Sequence, residues 1–221
     1  MHKGVVVITG SAQGMGRAAA ELFLEDGFEV HGIDIQDCLL DDDNYTHHIA
    51  DVSDYDSLPD IENVAYLINN AGVQGSDNDI EINLNGVINC TKKYGLQKNI
   101  KSILNQASVS AHNGAEFPEY AASKGGVLSY TRAIAKYVGH MYHATCNSIS
   151  FGGVLTELNQ PVIDDKECWD KIMSMTPLDK WVTVDEAAQW IYFLTVINQS
   201  MTAQDVLIDN GEFYNHEFVW K

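Results

Sequence analysis

The chain has 221 residues, 45% of them hydrophobic and 20% charged, enough apolar material for a sizeable core and too little bias for disorder or low complexity. Its 31 acidic against 13 basic residues leave a formal net charge of -18, which repels phosphate backbones and anionic bilayers and argues against nucleic-acid or membrane partners. Cys38, Cys90, Cys146 and Cys168 stand far apart, without CxxC spacing or a secretory leader ahead of them, so reduced thiols and a cytoplasmic protein are expected.

Short β-branched runs alternate with longer helical patterns. Strands are expected at Gly4–Thr9, Glu29–Asp34, Thr46–Ala50, Ala65–Asn69, Ser102–Gln106, Ala144–Ser148 and Asp205–Ile208. Helical periodicity runs over Met15–Asp26, Ile80–Lys98, Tyr120–Val138 and Val184–Ile197, the last opened by Thr183 with Glu186 three residues on, a capping-box pattern. This order predicts an α/β fold: a doubly wound, seven-stranded parallel sheet with helices on both faces. No linker or repeat interrupts it, so one domain is expected over 1–221, with a cofactor half at about 1–100 and a catalytic and substrate half at about 101–221. The third and fourth strands are joined by 51–64, barely enough for a short crossover helix. His47, His48, His140 and His143 lack a helical i,i+4 partner set, so no metal site is expected.

The first strand empties into Thr9-Gly10-Ser11-Ala12-Gln13-Gly14-Met15-Gly16, followed directly by a helix. Glycine suits a tight turn and a close backbone approach, and the helix start offers free N–H groups to a pyrophosphate; this is the Rossmann arrangement for a dinucleotide. Asp34 ends the second strand, 18 residues after Gly16. Its carboxylate can accept two hydrogen bonds from a ribose diol and would repel a 2'-phosphate, so NAD is favoured over NADP. Gln13, in place of a basic residue, points the same way.

From Gly4 to about Gly211 the chain resembles the short-chain dehydrogenase/reductase family. The motifs that carry this are TGxxxGxG at 9–16, Asp51-Val52, Asn69-Asn70-Ala71-Gly72, Asn83-Leu84, Ser108, YxxxK at Tyr120 and Lys124, and Asn147-Ser148-Ile149 leading to Gly152-Gly153-Val154-Leu155-Thr156. The resemblance implies that Gly10, Ser11, Gln13, Gly14, Met15 and Gly16 cradle the pyrophosphate. It also implies that Asp51 and Val52 hold the adenine, that Asn70, Ala71 and Gly72 form the floor beside the ribose, and that Val154 and Thr156 meet the nicotinamide carboxamide. Family members are commonly dimers or tetramers, so a homodimer or homotetramer is implied, with the helices from Ile80 and Tyr120 at its interface.

Hydride transfer between carbons needs a proton moved at the substrate oxygen, and a tyrosine with an ordinary pKa near ~10 is a poor base at neutral pH. Lys124, four residues on and on the same helix face, supplies a positive charge that favours tyrosinate at Tyr120. The resemblance adds a hydrogen bond from Lys124 to the nicotinamide ribose. Ser108 is read as the hydroxyl that polarises the substrate oxygen, with Ser110 as its neighbour of like chemistry. Asn83 matches the family asparagine that holds a water on the proton path to the lysine; Asn85 is its rival.

The expected activity is NAD-dependent interconversion of a secondary alcohol or diol and a ketone. Two alternatives share parts of the pattern: an NADPH-dependent 3-oxoacyl-(acyl-carrier-protein) reductase, opposed by the charge and by Asp34, and a non-catalytic dinucleotide-binding sensor or scaffold, opposed by the complete set of polar groups. Three departures are notable. Phe151 stands where the family has proline before the glycine pair, implying a looser loop; the segments 51–69 and 72–83 are short; and the aromatics Phe213, Tyr214, Phe218 and Trp220 mark the tail as a candidate subunit contact. A substrate lid is expected between Thr156 and Thr183, including Trp169, Met173, Met175 and Trp181.

Overall fold

The computed structural model describes residues 2–114 and 117–214. Seven strands, β1 (Val5–Thr9), β2 (Glu29–Asp34), β3 (Tyr45–Ile49), β4 (Val64–Asn69), β5 (Ser102–Gln106), β6 (Thr145–Phe151) and β7 (Asp205–Ile208), form one parallel sheet in the order 3-2-1-4-5-6-7. The order reverses between β1 and β4, and in such sheets a ligand crevice opens there, at the carboxyl ends of the strands.

Alternate residues of each strand serve opposite layers, which is why the strands are apolar on both sides. Val6 and Ile8 of β1 join Tyr66, Ile68 and Leu104 beneath α1 (Gly14–Glu25) and the late helix Val184–Tyr192. Val5 and Val7 join Leu67, Ile103 and Cys146 on the other face, against Tyr94, Ala135 and Val138. That second layer is built by α2 and α4. The former covers 81–95 as a π turn at Glu81–Asn85, an α turn at Gly86–Cys90 and a second π turn at Thr91–Gly95, and the latter is Pro118–Tyr142. Between them lies α3 (Ser110–Asn113), and beyond β6 come α5 (Gln160–Asp164), α6 (Lys166–Met175) and α7 (Val184–Tyr192), which continues as a π turn over Phe193–Ile197. Thr183 caps α7 in a capping box with Glu186, as its sequence predicts.

Two expectations are corrected. The 51–64 connection holds no crossover helix, only a 3₁₀ turn at Tyr55–Ser57, with Leu58 and Ile61 plugged into the core and Pro59 O accepting the Tyr94 hydroxyl at 2.8 Å. Phe151 does not loosen its loop. It is a buried ladder residue opposite Ile208, its carbonyl accepts Val109 N–H at 3.1 Å, and the turn begins only at Gly152. All four cysteines are free, with Cys90 and Cys146 buried. Phe218 and Trp220 lie outside the described residues.

Candidate active site

A cleft of about 530 Å³ runs along the carboxyl ends of β2, β1, β4 and β5. Its floor is built by backbone closeness. Gly10 has φ +68°, and a Cβ there would lie 2.8 Å from Ala71 Cα; a Cβ on Gly16 would lie 2.0 Å from Gly10 O. A side chain at either position must therefore displace that backbone. The adjoining Asn70 locks this floor, its Nδ2 donating to Thr9 O and Gly10 O at 3.0 Å each while Thr9 Oγ1 accepts the N–H groups of Asn70 and Ala71 at 3.0 Å.

At one end Asp34 faces the cleft, its Oδ2 accepting Ala12 N–H and its Oδ1 accepting Gln36 N–H, both at 3.0 Å. These bonds leave lone pairs on both oxygens and fix the carboxylate beside the glycine loop. Asp51 and Val52 line the same end, and Val52 O is held by Asn89 Nδ2 of α2 at 3.1 Å. Arg17 is turned away and paired with Glu21 at 3.0 Å. Among the described residues lining the cleft, Lys124 is the one with a cationic side chain.

Lys124 and Tyr120 enter at the other end from the first turns of α4, which Pro118 opens with its φ already set for a helix. Lys124 is 3% exposed, and its Nζ donates to Gln106 O at 3.0 Å and lies 5.8 Å from the centroid of the Tyr120 ring. Burial lowers the pKa of this ammonium to about 8, while the negative charge of the buried Asp79 pulls it partly back.

Ser108 is buried just past β5, its Oγ accepting Ser110 N–H at 3.2 Å. The flanking Ala107 and Ala111 pack on Val127 and Leu128 of α4, so the segment is fastened to the helix that carries Tyr120 and Lys124. His112 of α3 holds the far side through Asp205 at 2.8 Å.

Asn83 is fully buried, and the widened turn of α2 aims it at the cleft floor, whereas Asn85 donates to Glu81 Oε2 at 2.7 Å near the surface. Asn83 Oδ1 accepts Val73 N–H at 2.8 Å and Nδ2 donates to Val73 O at 2.9 Å and Ser123 Oγ at 3.1 Å, so the amide clamps the strand β4 exit to α4.

Of the other positions expected at the site, Gln13, Gly14, Met15, Ala71, Gly72 and Thr156 line the cleft with Gly10, Asp34, Asp51, Val52, Asn70, Tyr120 and Lys124, whereas Ser108 and Asn83 are buried behind its lining. Ser11 is buried under the loop with its Oγ 3.2 Å from Tyr45 OH, Gly16 is the packing contact already described, and Val154 is buried with its carbonyl accepting Asn159 Nδ2 at 2.8 Å. Sequence reasoning missed Gln36, Gln106 and Glu157 in the lining, and Asn105, which joins Asn69 at 2.8 Å and Thr131 at 2.9 Å beneath the floor. The only signal for Asn105 is a polar side chain directly after the apolar pair Ile103-Leu104 of β5. Among the described residues no group of three or more His, Cys, Asp or Glu could hold a metal ion, and no helix is long and apolar enough to cross a membrane.

A family profile described as enoyl-(acyl carrier protein) reductase matches residues 61–212, more than half of the chain. The chain is 28% identical to the 3-oxoacyl-(acyl-carrier-protein) reductase of Thermotoga maritima, covering 94% of this chain and 96% of that one. It is 26% identical to the 2-dehydro-3-deoxy-L-rhamnonate dehydrogenase (NAD(+)) of a Sphingomonas species, covering 93% of each. The solved structure of a 4-hydroxyisoleucine dehydrogenase complexed with NADH superposes with a TM-score of 0.84 at 26% identity, covering 95% of this chain and 98% of that one. A parallel sheet reversing at β1 and β4, a glycine floor at that point and relatives along the whole chain agree: this protein belongs to the short-chain dehydrogenase/reductase family, NAD(P)-binding oxidoreductases acting on CH–OH groups.

Proposed function

We propose that the protein is an NAD-dependent dehydrogenase that interconverts a secondary alcohol or diol and its ketone. The observation that carries this reading is one cleft with the Asp34 carboxylate fixed at one end and Tyr120 with buried Lys124 at the other. Gly10 and Gly16, where a Cβ would fill the space, fit the cradle a dinucleotide pyrophosphate requires. Bound NAD supplies the hydride-accepting carbon. The residues of this chain do the rest: Asp34 accepts the adenosine ribose hydroxyls and repels a 2'-phosphate. Tyr120 takes the proton from the substrate hydroxyl in oxidation and returns it in reduction. Lys124, desolvated and cationic below about pH 8, favours the tyrosinate electrostatically. Ser108 donates to the substrate oxygen as charge develops there, and Asn83 holds the floor against α4.

In this reading the cofactor half (1–100) and the catalytic half (101–221) are one working unit, because the cleft takes its lining from both. A homo-oligomer is favoured by the family's habit and by Tyr137 and Met141, which lie exposed on α4. The relative from Thermotoga maritima keeps a second reading in view, reduction of a carrier-bound 3-oxoacyl thioester. The net charge of -18 opposes docking of an acidic carrier protein.

Titration with NADH and NADPH, followed by a panel of secondary alcohols, diols, ketones and 3-oxoacyl thioesters read by cofactor absorbance, tests the proposal. NADH is expected to bind at least about tenfold tighter, in keeping with loss of a charge-assisted pair and a like-charge contact in NADPH. Turnover is expected on the alcohols or ketones. NADPH preference with thioester turnover would establish the second reading, and tight NADH binding without turnover on any member would indicate a sensor.

A further inference from the structure

His47 and His48 stand side by side on the edge strand β3 and serve opposite faces of the sheet. His48 Nε2 meets His31 Nδ1 at 3.0 Å, whereas His47 turns to the side of the glycine loop. There its Nδ1 lies 3.1 Å from the Tyr45 hydroxyl and its Nε2 2.8 Å from Gln36 O, and the same hydroxyl lies 3.2 Å from Ser11 Oγ of the glycine loop. Gly32, opposite His47 in the ladder, makes the approach possible: a Cβ there would lie 2.1 Å from Tyr45 OH and 2.3 Å from Ser11 Oγ.

A carbonyl oxygen only accepts, which assigns the proton of the neutral imidazole to Nε2. The bare Nδ1 then takes the Tyr45 hydroxyl proton, and the phenol oxygen accepts from Ser11 Oγ. Burial pushes the Tyr45 phenol above its ordinary pKa, which keeps it a donor. Past Gln36 the chain of bonds runs into the cleft: Gln36 N–H donates to Asp34 Oδ1, and Ala12 N–H donates to Asp34 Oδ2. Ala12 follows Ser11, so the bonds close a ring from Ser11 through Tyr45, His47, Gln36 and Asp34 back to the glycine loop. Gln36 is gripped at both polar atoms of its main chain, the N–H by Asp34 and the carbonyl by His47. Gln36 is also exposed, so water would satisfy that carbonyl without the imidazole. What His47 adds is fixed geometry.

We propose that His47 is a cofactor-positioning residue: by holding Gln36 O it fixes the turn after β2 and with it the angle of the Asp34 carboxylate, and so tunes both affinity for the adenosine ribose diol and rejection of a 2'-phosphate. This rests on the reading of the protein as an NAD-dependent dehydrogenase. His47 does not itself line the cleft, so its effect reaches the cofactor only through the turn. Loosening that turn costs a ligand that bonds to Asp34 and spares one that Asp34 repels.

The test uses His47→Leu, which removes the donor, and His47→Gln, which keeps an N–H at the reach of Nε2. Calorimetric titration with NADH, NADPH and ADP is paired with thermal melts without ligand. His47→Leu is expected to bind NADH and ADP about 3–10-fold more weakly, the loss of one ordered hydrogen bond. NADPH should stay within about twofold of the parent, so the preference for NADH narrows by at least about threefold. His47→Gln should return NADH affinity to within about twofold of the parent, and both variants should melt within about 4 °C of it. A merely structural histidine would weaken NADH and NADPH alike. Unchanged NADH affinity in His47→Leu, equal losses for NADH and NADPH, no recovery in His47→Gln, or failure of His47→Leu to fold would each overturn the proposal. A parent that binds neither NADH nor ADP, or that prefers NADPH, overturns the dehydrogenase reading and this assignment with it; a contrary result confined to the variants removes the assignment alone.

Discussion

The two walls of the cleft are held in very different ways. On the floor, Gly10 and Gly16 approach backbone within van der Waals distance, Asn70 bridges two carbonyls, and Asn83 clamps Val73 to α4. Across from it, the segment from Thr156 to Lys180 carries α5 and α6, neither of which contains a buried residue. That flap is tied down by Asn159 on Val154 O, by the buried Thr176 and by the edge-to-face contact of Trp169 with Trp181 at 5.1 Å, and Trp181 in turn lies flat against Gly153. Regions with few buried contacts open at low free-energy cost. In the proposed reading the rigid wall sets cofactor geometry, and the thin segment, which reaches the cleft at Thr156, Glu157 and Leu158, is the one proposed to admit substrate.

The sharpest way to break this comparison is at Gly16. A valine there must displace Gly10 O, and overpacking of about 1–3 kcal/mol transmitted to the loop weakens NADH binding by up to about 100-fold. Titration of a folded Gly16→Val variant checks this; unchanged affinity would show that the floor is not rigid. Lys124 gives the next largest effect. In the proposed reading its charged form is the one that holds the cofactor, and its pKa is lowered by burial to about 8, so cofactor binding must recover a proton above that pH. The Kd for NADH should rise up to about tenfold from about pH 7 to about pH 9, with a flat and weaker profile in Lys124→Met. The smallest effect belongs to the flap: Trp169→Ala removes one aromatic contact, expected to lower the melting temperature by no more than about 4 °C and to leave NADH affinity within about twofold. A larger loss of NADH binding would make the flap part of the cofactor wall.

Periodicity and punctuation made most of the architecture legible. All seven strands form within a few residues of their expected bounds, the inner ones because burial in two apolar layers leaves each run little choice. Motif order was enough to bring Asp34, Asn70, Tyr120 and Lys124 to one cleft. What stayed hidden depends on tertiary contact. Nothing local distinguishes Phe151 in a strand from Phe151 in a loop until β7 pairs with it. The side chain of Ser11 turns toward Tyr45 because the latter's hydroxyl fills the space over Gly32. Asn83 is spent on Val73, which becomes visible only when the short 72–83 segment folds back on α2. Gln106 carried no motif at all, and only the end of β5 in the cleft lining singles it out.

The central claim is that Tyr120 moves the proton while the rest of the cleft binds NAD. Tyr120→Phe tests it most directly, with NADH affinity and ketone reduction measured on the same preparation. Affinity within about threefold of the parent together with a rate lowered by about 10²–10⁴-fold is the predicted result. Reduction within about tenfold of the parent, at any pH, would contradict it.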